Sequence, residues 1–243
     1  MSKSNSKKST SAIKESKKEA TQSPDKSNGQ LIKVPLFPIQ IPISEFLKKN
    51  EVSIITGAAG TSKDHICMFT ALKYLSSKDN IYDKIIITKP IVEVGQSIGF
   101  MPGDENEKIA PYRKSFDAIV STIIGNGDSG RVANLKKRIV FEPINFIRGD
   151  TFKNAIVILS EAQNCTLHEL ISYITRLDKS SKLFINGDLM QSDIGRKSGL
   201  KDLLNIVEKV EGIEKITLGD EFQTRNKMIV KLNKEYNKYR SQQ

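Results

Sequence analysis

The stretch that most constrains this chain is a short loop between an apolar run and a helix-like pattern. The apolar run covers residues 52–56, and apolar side chains at helical spacing resume at Ile66 and Phe69. A strand, a loop of small residues and a helix are therefore expected in that order. Backbone N–H groups of such a loop, with a helix N-terminus behind them, can bind an anion such as phosphate. This glycine loop consists of Gly57, Ala58, Ala59, Gly60, Thr61, Ser62, Lys63 and Asp64.

The spacing of the glycine loop is close to the phosphate-binding pattern G-x-x-x-x-G-K-[ST]. Lys63 occupies the lysine position and would reach the outer phosphates as a point charge. Two positions differ, because Ser62 stands where the pattern has its second glycine and Asp64 where it has a hydroxyl residue. The loop alone therefore leaves two interpretations open, a phosphate cradle and an ordinary strand-to-helix turn.

The chain of 243 residues carries a formal net charge of +10. This balance favours polyanion partners such as RNA or single-stranded DNA; a basic protein without such a partner is the alternative. Cys67 and Cys165 are too few for a disulfide framework, which indicates reduced thiols in a cytoplasmic protein. No apolar run approaches the ~18 residues of a membrane span, and no signal peptide is recognised. We therefore expect a cytoplasmic location and no membrane partner.

The composition predicts one ordered domain behind a polar tail. Residues 1–30 are rich in Ser and Lys and almost free of apolar side chains, so they are predicted to be disordered. Residues 31–243 are predicted to form a single domain. It would begin with an extended lead-in over Leu31 to Pro42, followed by a short helix from Ile43 to Lys49.

After this lead-in, strand and helix patterns alternate along the chain. Most strand candidates are β-branched runs without polar alternation, as in strands that are covered on both faces. The alternation predicts an α/β fold with a parallel sheet and helices on both sides. The strand candidates are Val52–Thr56, Lys84–Thr88, Ile139–Phe141, Ala155–Leu159, Lys182–Asn186 and Lys215–Leu218. The helix candidates are Asp64–Ser77, Lys108–Ile124, Leu167–Leu177, Leu200–Val210 and Asn226–Tyr239, and residues 125–131 are predicted to form a glycine-rich loop.

Polar residues follow five of the predicted strands at the point where each strand ends. Ligands of parallel sheets bind at the carboxyl ends of the strands, so these residues are expected to share one site. They are the glycine loop, Thr88-Lys89-Pro90, Ser160-Glu161-Ala162-Gln163-Asn164, Gly187-Asp188 with Gln191, and Asp220 with Arg225.

Taken together, these segments resemble the PhoH family from about Gln40 to the C-terminal helix. The most specific segments are Glu161-Ala162-Gln163-Asn164 and the block from Gly99 to Tyr112. The remaining matches are the glycine loop, Thr88-Lys89-Pro90, Phe146-Ile147-Arg148-Gly149, and Gly187-Asp188 with Gln191.

The resemblance implies a P-loop (Walker A) ATPase domain similar to the nucleotide-binding domain of superfamily 1 helicases. It implies ATP and Mg²⁺ as ligands, RNA-related work, a link to phosphate starvation, and homo-oligomers that are often rings. Small versions with little beyond the ATPase core are common in bacteriophages, and this chain resembles those. A viral chain would act in the host cytoplasm.

The resemblance also assigns roles to individual residues. The glycine loop with Lys63 would bind the phosphates, and Glu161 would act as general base towards the attacking water. Gln163 and Gln191 would sense the γ-phosphate or the water, and Asp188 matches the acidic residue of the next strand end. Arg225 resembles a late arginine that neutralises transition-state charge, in its own subunit or a neighbouring one.

Four positions depart from the family pattern, which has Gly, Ser/Thr, Asp and Arg where this chain has Ser62, Asp64, Ser160 and Lys89. Asp64 and Ser160 exchange a hydroxyl and a carboxylate between two positions that normally serve Mg²⁺. One hypothesis is that these two residues complete a single metal site with exchanged roles. The alternative is loss of function, because a carboxylate without a metal repels the triphosphate.

Two functional interpretations therefore stay open. The first is a Mg²⁺-dependent ATPase coupled to RNA binding or remodelling, which Lys63, Glu161, Gln191 and Arg225 favour. The second is a nucleotide- or RNA-binding module of the same fold without turnover, which Ser62, Asp64 and Ser160 favour.

Overall fold

The structure, a computed structural model, describes residues 31–91, 105–125, 130–144 and 151–241. Three predictions lie outside these ranges: the disordered tail over residues 1–30, the motif at residues 99–104, and the motif at residues 146–149. The description of the fold therefore concerns the domain that begins at Leu31.

A six-stranded sheet forms the centre of this domain, and its neighbouring strands pair in parallel. The predicted strands are confirmed; β1 and β5 each run one residue further, through a glycine, and β6 begins two residues earlier. The strand order is β3-β2-β4-β5-β1-β6. The strands are β1 Val52–Gly57, β2 Lys84–Thr88, β3 Ile139–Phe141, β4 Ala155–Leu159, β5 Lys182–Gly187 and β6 Ile213–Leu218.

Helices occupy most of the intervals between the strands. Each predicted helix is present, with ends that differ by at most three residues. The helices are α1 Ile41–Lys49, α2 Lys63–Ser76, α3 Glu105–Ile124, α4 Gly130–Lys137, α5 Leu167–Ile174, α6 Leu200–Val207 and α7 Lys227–Ser241.

Two local predictions were wrong. The lead-in is not extended up to Pro42, because a 3-10 turn covers Pro38–Gln40 and α1 begins at Ile41. Proline is compatible with the first turn of a helix, where its missing N–H has no partner to lose. The loop predicted to end at residue 131 instead gives way to α4 at Gly130, since Val132 and Leu135 lie one turn apart and are both buried.

Two hydrophobic clusters cover the two faces of the sheet, as the continuous apolar strands predicted. Ile55, Ile158 and Phe184 lie on one face and belong to the cluster that contains the buried residues of α2 and α3. Ile54 and Ile185, which neighbour them along the strands, belong to the cluster on the other face with α5 and α6. Alternation along a strand places adjacent side chains on opposite faces, so both faces of the central strands are buried.

The strand order determines which loops meet at the carboxyl edge of the sheet. β1 lies between β5 and β6, and β4 lies on the other side of β5. The glycine loop after β1 is therefore flanked by the segments that follow β5 and β6, with the segment after β4 one strand away. This arrangement brings the residues predicted from separate strand ends to one edge.

Candidate functional site

The glycine loop makes a tight turn in which Gly60 leaves no room for a side chain. Thr61 donates its side-chain hydroxyl to the carbonyl of Ala58 at 2.8 Å, which closes the turn. Gly60 has a φ of 90°, and a Cβ at this position would lie 2.7 Å from Cδ of Arg225. The side chain of Arg225 thus packs directly over the loop, as expected for a residue of the same site.

Lys63 is the first residue of α2, and its side chain turns back over the loop. Its ammonium donates to the carbonyls of Gly57 at 2.7 Å and Ala58 at 3.0 Å. Burial lowers the pKa of Lys63 below its ordinary value, and the carboxylates of Asp188, Asp64 and Glu161 oppose this shift. The lysine predicted to bind phosphate therefore lies at the loop, close to three acidic groups.

Asp188 connects the end of β5 to the glycine loop. One of its carboxylate oxygens accepts from the N–H of Ala59 at 2.9 Å, and the other accepts from the N–H of Met190 at 2.9 Å. The side chain is buried, with 6% of its surface exposed. Charge-assisted hydrogen bonds of this kind hold the loop in register with the neighbouring strand.

The segment after β6 holds the loop from the opposite side, through contacts that the sequence analysis missed. Gln223 donates its side-chain amide to the carbonyl of Ala59 at 3.1 Å. Thr224 donates its backbone N–H to the carbonyl of Gly60 at 3.0 Å. Their position beside Arg225 was the only sequence signal that could have indicated them.

Glu161 follows β4 and is held by two side chains. Its backbone is left-handed, with a φ of 57°, which is uncommon for a residue other than glycine. One carboxylate oxygen lies 4.0 Å from the ammonium of Lys89, and the other accepts from the amide of Gln163 at 2.5 Å. The carboxylate predicted to be a general base therefore lies at the carboxyl edge of the sheet, in contact with Gln163 and Lys89.

Gln163 joins Glu161 to the loop region. Its amide oxygen accepts from the N–H of Asp188 at 2.9 Å, and Asp188 in turn accepts from Ala59. Gln163 is buried, so both ends of its amide are satisfied within the protein. Gln191 lines a small cavity of about 40 Å³ together with Ala58 and Ala59.

The two exchanged positions, Asp64 and Ser160, are in direct contact. Oδ1 of Asp64 accepts from the hydroxyl of Ser160 at 2.7 Å and from the side-chain amide of Asn186 at 2.9 Å. Asn186 was not predicted; its polar side chain at the end of an apolar strand was the available signal. The predicted proximity of Asp64 and Ser160 is thus confirmed.

Within the described ranges, no three His, Cys, Asp or Glu side chains are grouped closely enough to hold a metal ion by themselves. Mg²⁺ is usually bound by one or two carboxylates together with substrate phosphates, and it keeps several waters. One carboxylate and one hydroxyl beside a phosphate-binding loop fit that requirement. Asp64 and Ser160 are therefore suitable ligands for a nucleotide-bound Mg²⁺.

A parallel sheet with a glycine loop after β1, a lysine at the start of the next helix and an acidic residue after β4 defines the class of P-loop NTPases, which bind nucleotides. The chain belongs to the PhoH-like protein family, whose profile matches residues 35–237. Both the predicted fold class and the predicted family are confirmed.

Named relatives agree with this assignment. The chain is 35% identical over 196 residues to a "PhoH-like protein" of Bacillus subtilis, which covers 79% of this chain and 60% of the relative. It is 34% identical over 185 residues to "Protein PhoH" of Escherichia coli K12, covering 75% of this chain and 52% of that protein. The chain thus spans between half and two thirds of the length of these relatives.

A solved structure of the large terminase from a thermophilic bacteriophage is a more distant likeness. It is 11% identical, covers 82% of this chain and 50% of the terminase chain, and has a TM-score of 0.48. At this level the likeness does not bear on function.

None of the helices in the described part of the chain combines the length and the hydropathy that a bilayer crossing requires.

Proposed function

We propose that this protein is a Mg²⁺-dependent ATPase that binds ATP at the glycine loop. The observation that carries the proposal is the hydrogen-bonded connection from Glu161 through Gln163 and Asp188 to Ala59. It links the candidate general base after β4 to the loop that would hold the phosphates. Positioning and electrostatics account for most of phosphoryl-transfer catalysis, so a fixed relation between base and phosphates supports this function.

The proposal assigns roles to the residues that would contact the phosphates, the metal and the attacking water. The loop N–H groups and Lys63 would bind the phosphates, and Asp64 with Ser160 would hold the nucleotide's Mg²⁺. Glu161 would accept a proton from the attacking water, and Arg225, whose side chain packs over Gly60, would neutralise charge in the transition state.

One observation favours the second candidate, a nucleotide-binding module without turnover. Both carboxylate oxygens of Glu161 are engaged, by Lys89 and by Gln163. Each of these oxygens has a second lone-pair site, so water can still approach, but a carboxylate whose orientation is fixed by such contacts acts as a base only if that site faces the attacking water. Hydrolysis of ATP by the purified protein distinguishes the two candidates, because only the first predicts turnover.

The experiment that tests the nucleotide site is the substitution Lys63→Ala. A charge-assisted contact to phosphate is worth at least ~1.4 kcal/mol, so we expect affinity for Mg²⁺-ATP to fall at least ~10-fold in calorimetry. Lys73→Ala is the matched control, because Lys73 is an exposed lysine of the same helix. Equal affinities for the parent and Lys63→Ala would contradict the proposed site.

We further propose that the ATPase works on RNA or single-stranded DNA as a homo-oligomer, as the family resemblance implies. The net charge of +10 supports a polyanion partner.

The proposal of a homo-oligomer is supported by large side chains that α7 exposes. They are Met228, Leu232, Tyr236 and Tyr239. Light scattering that gives the mass of a monomer at micromolar concentration would contradict the oligomer.

A further inference from the structure

We propose that Asn186 is a positioning residue for the Mg²⁺-nucleotide, acting through the carboxylate of Asp64. This inference rests on the proposed function, because it assigns a task within the same site. Asn186 belongs to β5, pairs with Ile55 of β1, and precedes Gly187 and Asp188. Its amide would orient the carboxylate of Asp64 so that one oxygen, Oδ2, is left for the metal.

A buried amide in an otherwise apolar strand needs a reason. Asn186 is 2% exposed, and Phe184, two residues earlier in β5, is part of the hydrophobic cluster on the α2 side. Burying an amide without a hydrogen bond costs free energy, so its position indicates a partner. That partner is Oδ1 of Asp64 at 2.9 Å; the sulfur of Cys67, at 3.9 Å, is a much weaker acceptor.

Asn186 and Ser160 hold Asp64 from two adjacent strands. Ser160 directly follows β4, Asn186 lies in β5, and both donate to the same oxygen, Oδ1. Because the sheet fixes both donors, the carboxylate is restricted to one orientation. Asp64 also lies in the first turn of α2, where the helix dipole favours its negative charge.

The two donors give the two carboxylate oxygens of Asp64 different roles. A carboxylate oxygen has about two lone-pair sites, and Oδ1 of Asp64 fills both with Ser160 and Asn186. Within the described ranges no donor contacts Oδ2, which makes it the oxygen that can take a cation. A neutral donor at position 186 suits this arrangement, since a second carboxylate there would repel Asp64.

The test measures how much Mg²⁺ strengthens nucleotide binding, rather than turnover. Affinity for a non-hydrolysable ATP analogue is measured by calorimetry with Mg²⁺ and with EDTA, and the ratio is the Mg²⁺ enhancement. A hydrogen bond to a charged group is worth roughly 1.5–3 kcal/mol, so Asn186→Leu is expected to reduce this enhancement about 10-fold or more. The affinity in EDTA should change little.

Two further sets of variants separate positioning from packing. Cys67→Ala removes the other neighbour of the amide and should leave the Mg²⁺ enhancement unchanged. In an Asp64→Thr background, Asn186→Leu should have no further effect on the enhancement, because the amide would act only through Asp64. If Asn186→Leu fails to fold, Asn186→Thr and Asn186→Val provide a pair of equal shape that differs in one hydroxyl donor. The threonine variant should retain more of the enhancement.

The outcomes distinguish this inference from the proposed function. A parent protein without any Mg²⁺ enhancement overturns both. A clear enhancement in the parent that Asn186→Leu leaves intact overturns only the role of Asn186. Equal losses with Mg²⁺ and with EDTA, or equal losses in the threonine and valine variants, would show a structural role and also overturn it.

Discussion

At the scale of single residues, Asp64 and Ser160 are two unusual residues whose side chains contact each other. Either residue alone departs from the general P-loop pattern, and together they form a hydrogen bond of 2.7 Å between α2 and the end of β4. A contact of this kind couples the effects of mutations at the two positions. This contact supports the proposal that the two residues serve one metal site with exchanged roles.

A double-mutant cycle tests whether the pair serves one metal. Ser160→Asp alone would place two carboxylates beside the triphosphate, and Asp64→Thr alone would leave the metal without a carboxylate. The double variant should recover Mg²⁺-dependent kcat/KM relative to both single variants, with nucleotide affinity measured if turnover is absent. Additive effects, within ~0.5 kcal/mol, would favour loss of function over exchange.

The lowered pKa of Lys63 predicts a pH dependence of nucleotide binding. Burial disfavours the ammonium, so Lys63 loses its proton at a lower pH than an ordinary lysine, whose pKa is 10.5. Affinity for Mg²⁺-ATP should therefore fall as pH rises through the lowered value, by up to about tenfold per pH unit beyond it. Calorimetry between about pH 7 and 10 measures this fall.

The lowered pKa of Lys63 also affects stability, but there the free energy of unfolding rises with pH, whereas nucleotide affinity falls. The buried ammonium destabilises the folded state, and this penalty is complete below the lowered pKa. It disappears as pH rises towards the ordinary value, because the unfolded chain then binds more protons than the folded chain.

Lys63→Met is the control for the pH dependence of binding: it has no titrating group, so its nucleotide affinity should not change between about pH 7 and 10. A falling profile in that variant would assign the titration to another residue.

At the scale of elements, the junction between the glycine loop and α2 contains backbone strain. Ser62 precedes α2 with a left-handed φ of 64°, where the phosphate-binding pattern G-x-x-x-x-G-K-[ST] has glycine. A side chain in this conformation costs roughly 1–2 kcal/mol, partly offset by the larger chain entropy that glycine brings to the unfolded state. Its hydroxyl contact with Thr224, at 3.3 Å, is exposed and adds little.

Ser62→Gly is therefore expected to stabilise the protein by up to about 1 kcal/mol in urea unfolding. Asn154→Gly is the matched control, because Asn154 is also left-handed, with a φ of 49°. Asparagine tolerates this region better than serine, so the control should gain less. Destabilisation by Ser62→Gly would mean that the serine hydroxyl contributes more than the strain costs.

At the scale of the whole molecule, the net charge predicts salt-sensitive binding of nucleic acid. Binding of RNA or single-stranded DNA that neutralises phosphates should weaken as salt rises, with a slope of about 0.7 per phosphate contact on a logarithmic scale. Residues 1–30 contain seven lysines against three acidic residues. Deleting them should flatten the slope, as measured by fluorescence anisotropy at several salt concentrations.

Replacing the seven lysines of this segment by glutamine is the matched control for the deletion, since it keeps the length and removes the charge. Both variants should flatten the slope equally if the contacts are electrostatic. An affinity for nucleic acid that does not change with salt concentration, or no binding at low salt, would contradict the nucleic-acid proposal.

The sequence by itself determined the six strands, the helices other than α4, and the polar residues that follow five of the strands. Apolar runs such as Ala155–Leu159 can be recognised without the structure because strands buried on both faces need continuous apolar side chains. Lys63 and Glu161 became site candidates because each lies in a segment that follows such a run, and the loop pattern and the resemblance to the PhoH family gave their roles. α4 was missed because only Val132 and Leu135 of its eight residues are buried.

The tertiary structure alone decided which residues touch. The contact of Asn186 with Asp64 joins residues 122 positions apart, and that of Gln223 with Ala59 joins residues 164 positions apart. No local pattern encodes such pairs, because they follow from a strand order that places β5 and β6 on either side of β1. Hydrogen bonds between side chains on different strands form only once the sheet has fixed their spacing, which is why this part of the site could not be read from the sequence.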